Sequence, residues 1–282
     1  MDEKGHTMSK RKLFCEINPF FYRLSVIKQK SKRFFKDLFS RERIAKHHSC
    51  TRLPNMVKRH SSVLVRRLHN VDLSLQENKV TNILLAAEKI NGIVIRPGET
   101  FSFWKTVGKT TAKKGYKEGL VINRGKVSSG VGGGLCQMAN MIHWLVLNSP
   151  LTVTELHHHS DALFPDERRR VPFGTGTSVH YNYVDYRFKN NTDQPVQILV
   201  HCENGELIGE LKSEAPFPYY YELTEEDHHF KREGDSFYRN SKVWRTSFDA
   251  KDNTPVKKEP ILTNHSLVMY DHSLIPKEQI RE

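Results

Sequence analysis

A cysteine follows closely on a run of three glycines near the middle of the 282-residue chain. The run Gly132-Gly133-Gly134 leads into Leu135-Cys136-Gln137, which opens a segment with helical periodicity. The first turn of a helix carries unpaired N–H groups and partial positive charge, and both favour a thiolate over a thiol. Glycines let a substrate approach the backbone closely, and the N–H groups around Leu135–Gln137 could form an oxyanion hole. The pattern predicts a nucleophile at Cys136.

Histidines that could serve as a general base follow in the block Glu155-Leu156-His157-His158-His159-Ser160. A cysteine nucleophile needs a base, and the base needs a group that orients it. In an alternating strand His157 and His159 share one face, which makes them better candidates than His158. Asp185, or Asp161, could orient the imidazole.

Other interpretations of these residues stay open. A lone helical cysteine is often a small buried hydrophobe, and a glycine run can reflect tight packing alone. Zinc bound by the three histidines and Cys136 is a weaker alternative, because consecutive histidines point in different directions. We therefore expect no metal and no cofactor. His143 shares a helix face with Cys136 but lies two turns away, roughly 10 Å, which is too far for proton transfer.

The positive charge of the chain is concentrated at its N-terminal end. Residues 1–60 hold 16 Lys and Arg against five Asp and Glu, whereas the rest of the chain is nearly neutral. Nothing in this region matches a nucleic-acid-binding fold, so no nucleic-acid partner is expected. The sequence has no secretory h-region and no apolar run of the roughly 20 residues that span a bilayer. The four cysteines are far apart without a CxxC pair, so we expect reduced thiols and a cytoplasmic location.

Phenylalanines and aliphatic residues recur at helical spacing between Phe20 and Leu38, with lysines and arginines filling much of the rest. A basic amphipathic helix of this kind suits an anionic membrane surface, which would place the protein at the inner face of the membrane. The alternative is a peripheral helix that packs its phenylalanines on the domain and keeps its lysines in water.

The remaining pattern predicts an α+β fold with helices packed on a mostly antiparallel β-sheet. Apolar spacing predicts one helix over residues 75–91, started by a capping box at Ser74–Glu77, and another from Cys136 to about residue 148. Asn204-Gly205 between two apolar runs predicts a hairpin. We expect a basic helical segment over residues 1–60, a central domain over 61–215, and a polar C-terminal tail over 216–282. The tail is expected to be irregular, with short elements near residues 237–244 and 261–270.

Several motifs in this order resemble those of the VanW family. The match spans about residues 72–212 and includes Arg96-Pro97-Gly98-Glu99-Thr100-Phe101-Ser102-Phe103, Val107-Gly108, Gly115-Tyr116, the glycine-cysteine element, Glu155…His157-x-His159-Ser160, and Val184-Asp185-Tyr186-Arg187-Phe188-Lys189-Asn190-Asn191-Thr192-Asp193-x-Pro195.

The resemblance implies a role in glycopeptide (vancomycin) resistance and cell-wall metabolism, with peptidoglycan or its precursor as partner. Some VanW-domain proteins are regarded as L,D-transpeptidases that cross-link stem peptides through a cysteine acyl-enzyme. Carried over to this chain, Cys136 would be the nucleophile and His159 or His157 its base. Gly132, Gly133, Gly134 and Gln137 would bind the substrate.

The chain departs from the family pattern at two places. Gly176 stands where the family commonly has an aspartate. If that aspartate orients the histidine, activity here would be weakened or its role would pass to Asp185. Met138-Ala139-Asn140-Met141 replaces a small, hydroxyl-rich run. These departures keep a second hypothesis open, a non-catalytic accessory module that binds a precursor or a partner protein at the membrane.

Overall fold

The computed structural model describes residues 15, 17–65, 72–123, 126–158, 161–165 and 170–281. Its contacts divide the chain into two units, residues 1–41 and residues 42–282. The first unit contains helix α1 (Pro19–Phe39). Asn18 caps this helix by accepting a hydrogen bond from the Phe21 N–H at 3.0 Å, and proline occupies its first turn, where no N–H partner is needed.

The second unit combines three α-helices with strands of very different lengths. The helices are α2 (Leu73–Ile90), α3 (Phe103–Val107) and α4 (Cys136–Leu147). The strands are β1 (Arg43–Ile44), β2 (His47–His48), β3 (Asn55–Val63), β4 (Ile93–Ile95), β5 (Glu99–Ser102), β6 (Glu118–Asn123), β7 (Lys126–Val131), β8 (Thr152–Glu155), β9 (Asp161–Ala162), β10 (Arg187–Lys189), β11 (Val196–Glu203), β12 (Glu206–Ser213), β13 (Tyr219–Glu233), β14 (Ser236–Asp249), β15 (Pro255–Val268) and β16 (Ile280–Arg281).

These strands form mostly antiparallel sheets, as the α+β prediction requires. One sheet has the order β2-β4-β11-β12-β3, another β1-β5-β10-β8, and a third β16-β13-β14-β15-β9. Strands β6 and β7 pair as a separate hairpin. Because β1 to β3 belong to these sheets, the structure divides the chain after Arg41 and not near residue 60.

The main core lies between helices α2 and α4 and the sheet that contains β11 and β12. Its fully buried side chains include Ile83 of α2, Ile142 of α4 and Ile198 of β11. Helix α4 approaches the sheet so closely that a Cβ on Gly209 of β12 would lie 2.7 Å from Met141 Cγ. The sheet therefore fixes the position of α4, the helix that begins with Cys136.

Two local predictions have different outcomes. The hairpin at Asn204-Gly205 is confirmed, since both residues have positive φ (49° and 77°) between β11 and β12. The capping box at Ser74–Glu77 is wrong. Helix α2 begins two residues earlier, and Asp72 caps it by accepting a hydrogen bond from the Ser74 N–H at 2.9 Å.

The prediction of an irregular C-terminal tail is also wrong. Residues 216–282 contain three long antiparallel strands, β13, β14 and β15. Strand β13 buries only Phe230, and its other side chains are exposed or half-buried. The alternation of apolar and polar residues that indicates a half-buried strand is therefore weak in this segment. For this reason the sequence pattern did not predict the sheet.

Asn82 of α2 connects this helix to the glycine run that precedes α4. Its side-chain amide donates to the carbonyls of Lys117 and Gly133 at 3.0 and 2.9 Å, and its carbonyl accepts from the Lys117 N–H at 2.8 Å. Asn82 is fully buried. If its side chain were removed, water could not replace it as the hydrogen-bond partner of these backbone groups.

We expect Asn82→Ala to lower the free energy of unfolding by about 2 to 4 kcal/mol, because it leaves buried backbone groups without partners. Chemical denaturation followed by tryptophan fluorescence measures the change. Asn191→Ala is the matched control. Asn191 is exposed and donates to Thr152 Oγ1 at 3.0 Å, and its loss should change stability by no more than about 0.5 kcal/mol. Equal losses in the two variants would contradict the structural role of Asn82.

Candidate active site around Cys136

The glycine run is packed against the protein on every side where a Cβ would project. A Cβ on Gly133 would lie 2.1 Å from the Gly119 carbonyl oxygen, and one on Gly134 would lie 2.0 Å from Lys79 Cγ. Gly132 and Gly134 also have φ values of 81° and 91°, which favour glycine. Close packing and backbone conformation therefore account for the three glycines.

Cys136 is the first residue of α4, as predicted, and its side chain is half-buried. Its sulfur lies 4.0 Å from the carbonyl oxygen of Val179. Burial raises the pKa of the Cys136 thiol, and hydrogen bonds to backbone groups lower it by less. The direction is opposite to the one expected for a helix N-terminus, because desolvation disfavours the thiolate more than the backbone groups favour it. Cys136 is therefore a protonated thiol at neutral pH.

His157 lies just beyond β8, and Glu155 orients its ring. The distance from His157 Nε2 to Glu155 Oε1 is 3.0 Å. With Nε2 held by the carboxylate, Nδ1 remains to accept a proton. The Glu155-x-His157 spacing places both side chains on one face of an extended segment, so the pair is visible in the sequence, where Asp185 or Asp161 was expected to orient the imidazole.

The His157 segment pairs with the segment that contacts Cys136. The Ser178 N–H donates to the His157 carbonyl at 2.7 Å, and the next residue, Val179, faces the Cys136 sulfur. Asn140, one turn along α4 from Cys136, accepts from the Thr177 N–H at 2.7 Å. Residues 177–179 thus bridge the nucleophile candidate and a base candidate. The His157 ring and the Cys136 sulfur themselves bond to different partners in this state.

The other predicted site residues have separate places. His159 lies outside the described residues. Gln137 donates to Ser62 Oγ and to the Val63 carbonyl, both at 2.8 Å, so its amide joins α4 to β3. Asp161 belongs to β9, beside β15.

Asp185 is buried and ties several elements together. Its carboxylate accepts hydrogen bonds from Ser102 Oγ at 2.6 Å, from the Trp104 N–H at 3.0 Å and from Arg187 Nε at 2.8 Å. These contacts join β5, α3 and the start of β10. Within the described part of this region, the carboxylate that contacts an imidazole is that of Glu155.

Two further histidines, His143 and His180, have lowered pKa values. His143 is buried, and its Nδ1 lies 3.2 Å from the Tyr186 hydroxyl. Burial, with a smaller contribution from His158, lowers the pKa of His143 to about 3, so this ring is neutral at physiological pH. His180, which sequence reasoning missed, follows Val179 and stacks on Tyr183. Burial and then the neighbouring His157 lower the pKa of His180. No spacing pattern in the sequence marks His180.

The described residues also bear on the metal and membrane alternatives. Within them, no group of three or more His, Cys, Asp or Glu residues is arranged to hold a metal ion. No helix in the same part of the chain is both long and apolar enough to cross a membrane.

The fold and the site together define an α+β domain centred on a cysteine at a helix N-terminus, beside a strand that ends in a carboxylate-histidine pair. The family model described as VanW like protein matches residues 78–212. The chain is 32% identical over 204 residues to the Vancomycin B-type resistance protein VanW of Enterococcus faecalis, covering 72% of this chain and 74% of that protein. The chain belongs to the VanW family.

A second relative is the Uncharacterized protein YoaR of Bacillus subtilis. It is 34% identical over 140 residues, which cover 50% of this chain and 45% of that protein. No solved structure matches the chain.

The buried His143 predicts a specific dependence of stability on pH. Its pKa is about 3 in the folded protein against 6.5 for an unperturbed histidine, so the unfolded chain binds more protons between these limits. Stability is therefore lost as the pH falls from 6.5 toward 3. Relative to His143→Gln, we expect the wild type to lose about 2 kcal/mol more between about pH 7 and about pH 5. Urea denaturation at both pH values measures the difference, and parallel profiles would show that His143 is not buried neutral.

Proposed function

We propose that this chain acts in glycopeptide resistance by acyl transfer on peptidoglycan or its precursor, with Cys136 as the nucleophile. Two lines of support converge. A relative with 32% identity is a Vancomycin B-type resistance protein, and the family resemblance connects the glycine-cysteine element with stem-peptide cross-linking. The observation that carries the proposal is the bridge at residues 177–179, which joins the Cys136 sulfur to the Glu155–His157 pair.

The raised pKa of Cys136 determines how the reaction begins. The thiol gives up its proton during attack, as serine does in serine hydrolases, and a histidine must accept it. His157 or His159 takes this role, and Glu155 holds the His157 ring so that Nδ1 is available. The His157 side chain is 41% exposed, so it is free to change its rotamer, and the mechanism requires its ring to reach the sulfur when substrate is bound.

The proposed reaction has two balanced steps. In the first, the Cys136 sulfur attacks an amide carbonyl of a donor stem peptide and the C–N bond breaks. The amine leaves with the proton that the histidine took from the thiol, and a thioester remains. In the second step an amine of an acceptor stem peptide attacks the thioester. A new amide forms, the C–S bond breaks, and the proton released by the attacking amine returns to the sulfur through the histidine.

Substitution of the proposed nucleophile tests the reaction directly. We expect Cys136→Ala to lower the rate of cross-linking by about three orders of magnitude or more, and His157→Gln to lower it by about 10²- to 10⁴-fold if His157 is the base. Muropeptide analysis of peptidoglycan incubated with the full chain measures the products. Cys202→Ala is the matched control, because Cys202 is also half-buried but lies on β11. Identical cross-link profiles for wild type and Cys136→Ala would refute the proposal.

The second candidate is a non-catalytic module that binds the same precursor or a partner protein. The raised pKa of the Cys136 thiol favours it, since an unreactive thiol suits a structural role.

Mass spectrometry separates the two candidates. An acyl-transfer enzyme incubated with a donor stem peptide gives a covalent adduct on Cys136. A binding module instead shows protection of Cys136 from iodoacetamide without any adduct. The exposed Cys50 is the internal control, and we expect it to react with iodoacetamide at neutral pH faster than Cys136 whether or not the peptide is present.

A further inference from the structure

Helix α1 exposes an apolar face. Six of its large apolar side chains are between 40% and 63% exposed: Phe20, Leu24, Ile27, Phe34, Phe35 and Leu38. At 100° per residue these six fall within an arc of about 100° that runs for about 27 Å along the helix. Phe20, Phe34 and Phe35 are each more than half exposed.

An ion pair lies on the side of α1 away from the apolar stripe. Arg33, about 150° around the helix from the centre of the stripe, lies 3.9 Å from Asp37. The apolar stripe itself is exposed to solvent along the helix, so it is available to a partner.

Basic residues border the exposed stripe on both sides. Arg23 and Lys30 lie along one edge, and Lys28 and Lys32 along the other, by the same 100° geometry. The only acidic residue of the helix is Asp37. A partner that covers the stripe therefore meets positive charge on both sides over residues 23–32, and must be apolar at its centre and anionic at its rim.

We propose that α1 lies in the plane of an anionic lipid bilayer, with the apolar stripe among the acyl chains and the flanking lysines at the headgroups. An apolar face bordered by Lys and Arg is the pattern of interfacial helices, and no helix in the described residues can cross the bilayer instead. A second copy of this chain is a poorer occupant, because a symmetric pairing would bring the basic edges of two α1 helices together. The proposal does not depend on the chemistry of Cys136.

Sedimentation of the full chain with lipid vesicles tests this proposal. We expect binding to mixed phosphatidylglycerol and phosphatidylcholine vesicles, and little binding to pure phosphatidylcholine or at high salt. Phe34→Ser/Phe35→Ser should weaken binding at least about tenfold, through lost apolar insertion. Lys28→Gln/Lys32→Gln should weaken it about tenfold or more, through lost headgroup attraction.

Matched controls make the same chemical changes elsewhere. Val256→Ser/Leu274→Ser removes apolar side chains that are each 55% exposed, and Lys251→Gln/Lys277→Gln removes two exposed charges. Both pairs should bind like wild type, as should Cys136→Ala, so failure of this proposal is distinguishable from failure of the acyl-transfer mechanism.

Three results would overturn the proposal. The first is no sedimentation of wild type with anionic vesicles, and the second is an equal loss of binding in the control pairs. The third is a wild-type dimer in solution that Phe34→Ser/Phe35→Ser converts to a monomer without changing vesicle binding, which would assign the stripe to a second copy of the chain.

Discussion

The buried guanidinium of Arg187 holds together the part of the molecule that carries the site. Its side chain is 4% exposed and meets three carboxylates. It lies 2.8 Å from Asp185, 2.7 Å from Glu42 and 3.7 Å from Glu155. A buried cation is tolerated only when its partners compensate its lost hydration, and removal of one partner from such a group typically costs about 3–5 kcal/mol. The arrangement therefore fixes β10 against its neighbours and fixes the carboxylate that orients His157.

The same cluster accounts for the contacts that the Asp185 carboxylate makes with the described residues. Its oxygens are occupied by Ser102, the Trp104 backbone and Arg187, all of which lie in the interior. Glu155, at the end of β8, also accepts a hydrogen bond from the Asp185 N–H at 3.2 Å, and its position at the strand end lets it reach His157 as well. The Glu155 carboxylate therefore belongs both to the buried charge cluster around Arg187 and to the candidate catalytic pair with His157.

At Cys136 two opposing electrostatic effects meet. The N-terminus of α4 favours negative charge, but each end of a helix contributes only a partial charge, and burial removes the thiolate from water. Desolvation is the larger effect, so the resting group is a thiol. The tight glycine run places the start of α4, because it packs against Gly119 and Lys79. A mechanism at this site consequently needs proton transfer during attack, which gives the Glu155–His157 pair its importance.

Local sequence determined the elements whose signals lie within a few residues. The 3.6-residue apolar period located α2 and α4, and the positive-φ preference of Asn204-Gly205 located a hairpin, because both depend on neighbouring residues alone. Tertiary structure decided the rest. The strands of residues 216–282 are stabilised by pairing over long sequence distances, which a polar sequence does not display. The rise in the thiol pKa and the pairing of His157 with Glu155 depend on burial and on neighbours brought together by folding. Sequence spacing identifies Cys136 as a candidate nucleophile. Whether its side chain is a thiol or a thiolate depends on its burial in the folded protein.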